Sequence, residues 1–149
     1  MRPDMDEHLV ADYILTSVAG VETAASAPYT FFFYGADRML PFATLAVADS
    51  EYDRLSDLGR SGVYRLNIGV SLESYRSLFG PGKPRLGPEG RLEGHDFTRL
   101  DQLMPHPFYA PQSWVCVLNP SAGTFDAAVK PLLREAYDRA VARAKRRAG

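Results

Sequence analysis

The eight residues Val63–Val70 constrain the fold of this chain more than any other stretch. Read as an extended strand, they place Tyr64, Leu66, Ile68 and Val70 on one side and Val63, Arg65, Asn67 and Gly69 on the other. The first side demands an apolar layer against it. The second presents a guanidinium and an amide together. A segment of this kind belongs inside a sheet, so the rest of the chain must supply neighbouring strands and a cover.

The neighbours are legible. Ser113–Asn119 alternates with Trp114, Cys116 and Leu118 on one face and Val115 and Val117 on the other. Tyr29–Tyr34 is aromatic and β-prone, and Phe31, Phe32 and Phe33 in succession put bulk on both faces. One of those faces is expected to meet helices and the other a pocket, a loop or a partner. Gly35-Ala36-Asp37-Arg38 reads as a hairpin link to a returning strand over Phe42–Ala48, and Val21–Ser26 as a short strand before an Ala27-Pro28 turn.

The helices follow from apolar spacing. Leu9, Val10, Tyr13, Ile14 and Val18 form a stripe of helical period, with Asp4 and Glu7 at capping-box spacing and Gly20 as the stop. Tyr52, Leu55 and Leu58 predict a short helix over Asp49–Leu58. Ser71 predicts a cap for a helix through Phe79 that buries Leu72, Tyr75 and Phe79 and ends at Gly80-Pro81. Asp96 is expected to cap one or two turns holding Phe97, Leu100 and Leu103. Leu132, Leu133, Ala136, Tyr137, Ala140, Val141 and Ala144 predict a final helix, with Pro131 near its first position and Thr124 capping a preceding turn. Between the third and fourth of these helical segments, residues 80–96 hold five glycines and three prolines and read as a long loop.

With 149 residues, 46% of them hydrophobic and 23% charged, the chain is expected to form a single domain over 1–149 with a true core. The order α-β-β-β-α-β-α-loop-α-β-α with short hairpin links predicts an α+β fold: an antiparallel sheet of about five strands with helices mainly on one face. A net charge of −1 excludes a globally basic nucleic-acid binder, and a single cysteine excludes a disulfide framework. No apolar run approaches the ~18 residues of a membrane span, so a cytoplasmic protein without a membrane partner is expected.

Few motifs carry chemistry. His8, His95 and His106 lie in separate segments without metal-ligand spacing, and no metal or tightly held cofactor is expected. Cys116, in mid-strand, reads as a small buried apolar group. Gly80-Pro81-Gly82-Lys83-Pro84 lacks the register of a phosphate-binding loop and follows a helix rather than a strand. Asp49, Glu51, Asp53 and Asp57 read as a solvated polar face. Lys83, Arg85 and Arg91, with Arg143, Lys145, Arg146 and Arg147, offer phosphates a surface only if the two clusters share one face.

The most informative constellation is mixed. Arg65 and Asn67 leave the strand together, and His106-Pro107-Phe108-Tyr109-Ala110-Pro111 leads into Trp114. If those strands are neighbours, Arg65, Asn67, His106, Tyr109 and Trp114 line an aromatic pocket with a few fixed polar groups, the usual make-up of a small-molecule site. A solvent-facing Arg65/Asn67 pair beside a proline-pinned aromatic corner is the alternative.

The run Trp114–Leu118, followed by Glu135-Ala136-Tyr137 in a helix, resembles the end of MmcQ/YjbR-like proteins. Phe31-Phe32-Phe33-Tyr34, Leu40–Thr44, Tyr64–Val70, Pro105-His106-Pro107 and Trp114–Ser121 more closely resemble an uncharacterised family of high-GC bacteria. The resemblance implies a frataxin-like α+β arrangement. It also implies a small-molecule ligand linked to secondary metabolism, since some such proteins lie beside antibiotic biosynthesis genes. Others have been likened to double-wing DNA-binding domains. Three readings therefore stand: a cytoplasmic small-molecule-binding protein, a cofactor-independent enzyme with His106 as acid/base group, and a nucleic-acid or protein interaction module.

Overall fold

The structure, a computed structural model, describes residues 5–35 and 40–148. Asp4 of the expected capping box and Ala36-Asp37-Arg38 of the expected hairpin link lie outside the described residues. Helix α1 (Glu7–Ser17) is capped by Asp6, whose side chain accepts from the Leu9 N–H at 2.8 Å. Strands β1 (Val21–Ser26), β2 (Tyr29–Tyr34), β3 (Ala43–Ala46) and β4 (Arg65–Gly69) follow, then helix α2 (Leu72–Phe79). Strand β5 (Met104–Pro105) and strand β6 (Trp114–Leu118) complete the sheet before the C-terminal helical run.

The six strands lie in the order β1-β2-β3-β4-β6-β5, every pair antiparallel. The fold is α+β as the element order predicts, with one strand more than expected. Register sorts the side chains. Leu66 lies opposite Val117, and Ile68 opposite Val115; with Phe32, Ala43 and Leu45 they meet Val10 and Ile14 of α1 and the C-terminal helix. That face is the main core. Arg65 lies opposite Leu118, Asn67 opposite Cys116, and Gly69 opposite Trp114, all on the other face. A smaller apolar cluster of Ala46, Leu58, Val63, Phe97, Met104, Cys116 and Leu118 covers part of it. The cover is irregular chain from residues 49–63 and 92–97, not helix.

The C-terminal helix begins earlier than its apolar stripe suggests. Ser121, not Thr124, is the N-cap, accepting from the Thr124 N–H at 3.1 Å. Helix α3 (Ala122–Thr124) runs into a π-helical segment (Phe125–Val129) and on into α4 (Lys130–Ala148). Pro131 lacks an N–H and its ring crowds the preceding turn, and the widened π segment absorbs that misfit without ending the helix.

Two expected helices are absent. Residues 49–58 form turns because side chains take the backbone bonds a helix would use: Asp49 Oδ1 accepts from the Leu58 N–H at 2.9 Å, and Ser50 Oγ from the Asp53 N–H at 3.1 Å. Tyr52, which has helical spacing with Leu55 and Leu58, is 84% exposed. Asp96 likewise makes an Asx turn, accepting from the Thr98 N–H at 3.0 Å, rather than starting a helix. By contrast α2 is capped by Ser71 and ends at Gly80, as its sequence predicts.

Gly69 is where the backbone of β4 must stay bare. A Cβ there would lie 2.8 Å from Cε2 and 2.9 Å from Cζ2 of Trp114, because the indole rests against the strand. Gly69→Ala is therefore expected to cost ~1–3 kcal/mol by overpacking. It should also shift the emission of Trp114, the single tryptophan, in a denaturation series read by fluorescence.

Candidate functional site

The second sheet face carries a chain of buried polar groups. Arg65 uses each guanidinium nitrogen within the protein: Nη2 on the Asp53 carboxylate, Nη1 on Ser56 Oγ at 3.0 Å, and Nε on Asn67 Oδ1 at 2.9 Å. Asn67 Nδ2 then donates to Thr44 Oγ1 on β3 at 3.0 Å. Thr44, Asp53, Ser56, Arg65 and Asn67 are all buried. Burial disfavours the Arg65 charge, but the hydrogen bond and charge of Asp53 outweigh it and raise its pKa above the ordinary arginine value. Asp53, read from sequence as part of a solvated face, is instead the internal counter-ion of Arg65. Loop residues 49–63 are tied to the sheet at this point, and Tyr29 Oη adds a bond to Ser50 Oγ at 3.0 Å.

Next along the same face lies an aromatic corner. His106 lies between Pro105 and Pro107 at the end of β5, and its N–H donates to the Trp114 carbonyl at 3.0 Å. The Trp114 N–H in turn donates to the Tyr109 carbonyl at 3.1 Å, closing the turn that contains residues 110–112. Within that turn the N–H groups of Phe108 and Tyr109 both donate to His106 Nδ1 at 3.0 Å. Nδ1 is thus the acceptor, and the neutral ring carries its proton on Nε2. Burial, followed by the Arg65 cation, drives the His106 pKa well below the ordinary histidine value.

The Nε2–H is the notable group. His106 is 4% exposed, and among the described residues no side chain or carbonyl accepts from Nε2. Since no fully enclosed polar side-chain atom among the described residues lacks a partner, this donor sits at the ring's small opening to solvent. Tyr109 packs on the ring at 4.9 Å between centroids and is itself 58% exposed. Trp114, half-buried, lies against Gly69, its direct partner on the adjoining strand.

The five residues picked out from sequence are thereby divided. His106, Tyr109 and Trp114 come together at one end of the sheet face. Asn67 and Arg65 lie on the same face, one and two same-face positions of β4 further along from Gly69, with their polar atoms bonded internally; Arg65 reaches His106 through its field. Cys116 opposite Asn67 is fully buried, its thiol donates to the Pro105 carbonyl, and burial pushes its pKa up to about 12. It is an inert thiol. Thr44, Asp53 and Ser56 were missed as parts of this face, since no periodic pattern marks them for it, whereas Gly69 stands in the alternation of Val63–Val70. A separate cleft of about 370 Å³ opens beside Leu55, Arg91, Glu93, His95 and Phe97, where the His95 ring stacks on Phe97 at 5.6 Å. Among the described residues no three His, Cys, Asp or Glu side chains are grouped to hold a metal ion, and no helix is long and apolar enough to cross a membrane.

A family model matches residues 5–149. The chain belongs to DUF6194, a family of unknown function. No curated protein and no solved structure matches this DUF6194 chain, so the site is read from its own geometry.

Two measurements check that geometry. Asp53→Ala leaves the Arg65 cation buried and uncompensated, and urea denaturation is expected to show a loss of ~3–5 kcal/mol, part of it regained when Arg65→Met is added. His106 titrates near ~6.5 in the unfolded chain and only well below that when folded. Between those values the unfolded chain binds a proton that the folded chain does not. Stability is therefore full above pH ~6.5 and falls as the pH drops through that window, by up to ~1.4 kcal/mol per pH unit. His106→Asn, which keeps an acceptor for the two turn N–H groups, is expected to flatten that slope.

Proposed function

We propose that this DUF6194 protein binds a small molecule at the corner formed by His106, Tyr109 and Trp114. The observation that carries the reading is a nine-tenths buried imidazole whose Nε2–H has no protein acceptor, set beside a half-open indole. The donor faces solvent through a small opening in an otherwise buried ring, and a ligand oxygen there takes the place of water as its acceptor. Because Nδ1 accepts from two turn N–H groups, the proton of the neutral ring is held on Nε2. The complementary ligand is a planar, partly apolar molecule with a carbonyl or carboxylate oxygen. Its ring lies against Trp114 and Tyr109, and its oxygen accepts from Nε2. Arg65 and Asn67 act from behind, Arg65 by keeping the imidazole neutral and Asn67 by fixing the Arg65 fork.

The enzyme reading has less to draw on. Proton transfer needs a basic nitrogen poised near neutral pH, whereas Nδ1 is occupied by two backbone donors and the ring is far from its titration range. The reading extends to a bacterial, cytoplasmic setting and a secondary-metabolite ligand, and its support there is the likeness of Trp114–Leu118 and Glu135-Ala136-Tyr137 to MmcQ/YjbR-like proteins.

The test is a titration with aromatic carboxamides and carboxylates, read by Trp114 emission. Saturable binding is expected for a subset, weakened at least tenfold (~1.4 kcal/mol) in His106→Asn, which lacks the Nε2–H. Fragments that never perturb Trp114, or that bind His106→Asn as well as the native chain, would exclude this site.

A further inference from the structure

The two edges of the sheet are unequal. Strand β5 is two residues long and contains Pro105, so one edge is short and blunted. Strand β1 at the other edge has six residues, pairs with β2 alone among the described residues, and contains neither proline nor lysine. The Gly35 N–H donates to the Gly20 carbonyl at 2.7 Å, which sets the alternation along the β1–β2 ladder. Glu22, Ala24 and Ser26 therefore bond inward to β2, and Val21, Thr23 and Ala25 direct their N–H and C=O groups outward.

We propose that β1 pairs with β1 of a second copy of this chain, antiparallel, about a two-fold axis through Thr23. The outward set is self-complementary about that point: Val21 faces Ala25 of the second copy, Thr23 faces Thr23, and Ala25 faces Val21. Every outward N–H and C=O of these residues then finds a partner, in three doubly bonded rungs. The side chains permit it. Thr23, Ala25 and Ser26 are exposed and small, and Ala24 is small and half-buried. Glu22 falls opposite Ala24 of the second copy, so the two carboxylates are not set directly against each other. An axis centred on Glu22 or Ala24 keeps only two doubly bonded rungs among these residues, and one on Glu22 sets the two carboxylates directly against each other. The pairing would join the two sheets into one of twelve strands, and each copy's Tyr29–Phe31–Phe33 ladder, with ring centroids 6.0 and 6.3 Å apart, would flank the joint on one face.

Sedimentation of the full chain at high micromolar concentration tests this, together with amide exchange. The native protein is expected at twice the chain mass, with the amides of Val21, Thr23 and Ala25 slowed relative to a dilute sample. Thr23→Lys sets two like charges on the axis, and Thr23→Pro removes the central N–H. Either variant that keeps the native circular dichroism is expected at the single-chain mass. A monomeric native chain overturns the proposal, including one whose outward amides gain protection only when another protein is added. A dimer that survives Thr23→Lys overturns it as well.

Discussion

The contact between Arg65 and Asp53 organises half of this molecule. Antiparallel sheets commonly leave one face to water, yet β4 is buried on both. The helices account for one side. The other is covered by irregular chain whose own backbone bonds are too few to hold it in place, and the anchor is a charged pair sealed beneath it. Such a pair is a poor source of net stability, since desolvation consumes most of the attraction. Its value lies in what it forbids. Residues 49–63 cannot slide over the sheet without parting a buried guanidinium from its counter-ion, so the cover keeps its register on the sheet.

The same cation reaches the aromatic corner. Arg65 contributes, after burial, to keeping His106 unprotonated, and the turn N–H groups fix which nitrogen bears the remaining proton. A neutral, oriented donor follows from two features with no direct contact between them: an ion pair that holds a loop, and a proline-flanked turn that needs an acceptor. Gly69 completes the corner from below, because only a bare backbone lets the Trp114 ring lie flat against β4.

The sheet was legible in the sequence because its signal is local and periodic. Val63–Val70 and Ser113–Asn119 alternate cleanly, so their faces could be anticipated, whereas their adjacency, on which the grouping of His106, Tyr109 and Trp114 depends, is set by long-range pairing that alternation does not encode. The cover was not legible. Tyr52, Leu55 and Leu58 have helical spacing, but Asp49 and Ser50 compete for the backbone, and side-chain capture of N–H groups leaves no periodic trace. Asp53 was invisible as a counter-ion for a related reason: its partner is twelve residues away and the loop between them has no regular geometry. Strand β5 was hidden by Pro105, which ordinarily argues against a strand and is tolerated here at the sheet edge. The ionisation of His106 depends on burial and on Arg65, both properties of the assembled fold.

The account turns on the state of one imidazole. Long-range proton–nitrogen correlation of the labelled His106 ring at neutral pH, with and without an aromatic carboxamide that binds, tests it most directly. A neutral ring protonated on Nε2 is expected in the free protein, with an Nε2 resonance that moves on binding while Nδ1 stays fixed by its turn. A ring that is charged at neutral pH, or an Nε2 resonance that does not respond to a bound fragment, would contradict it.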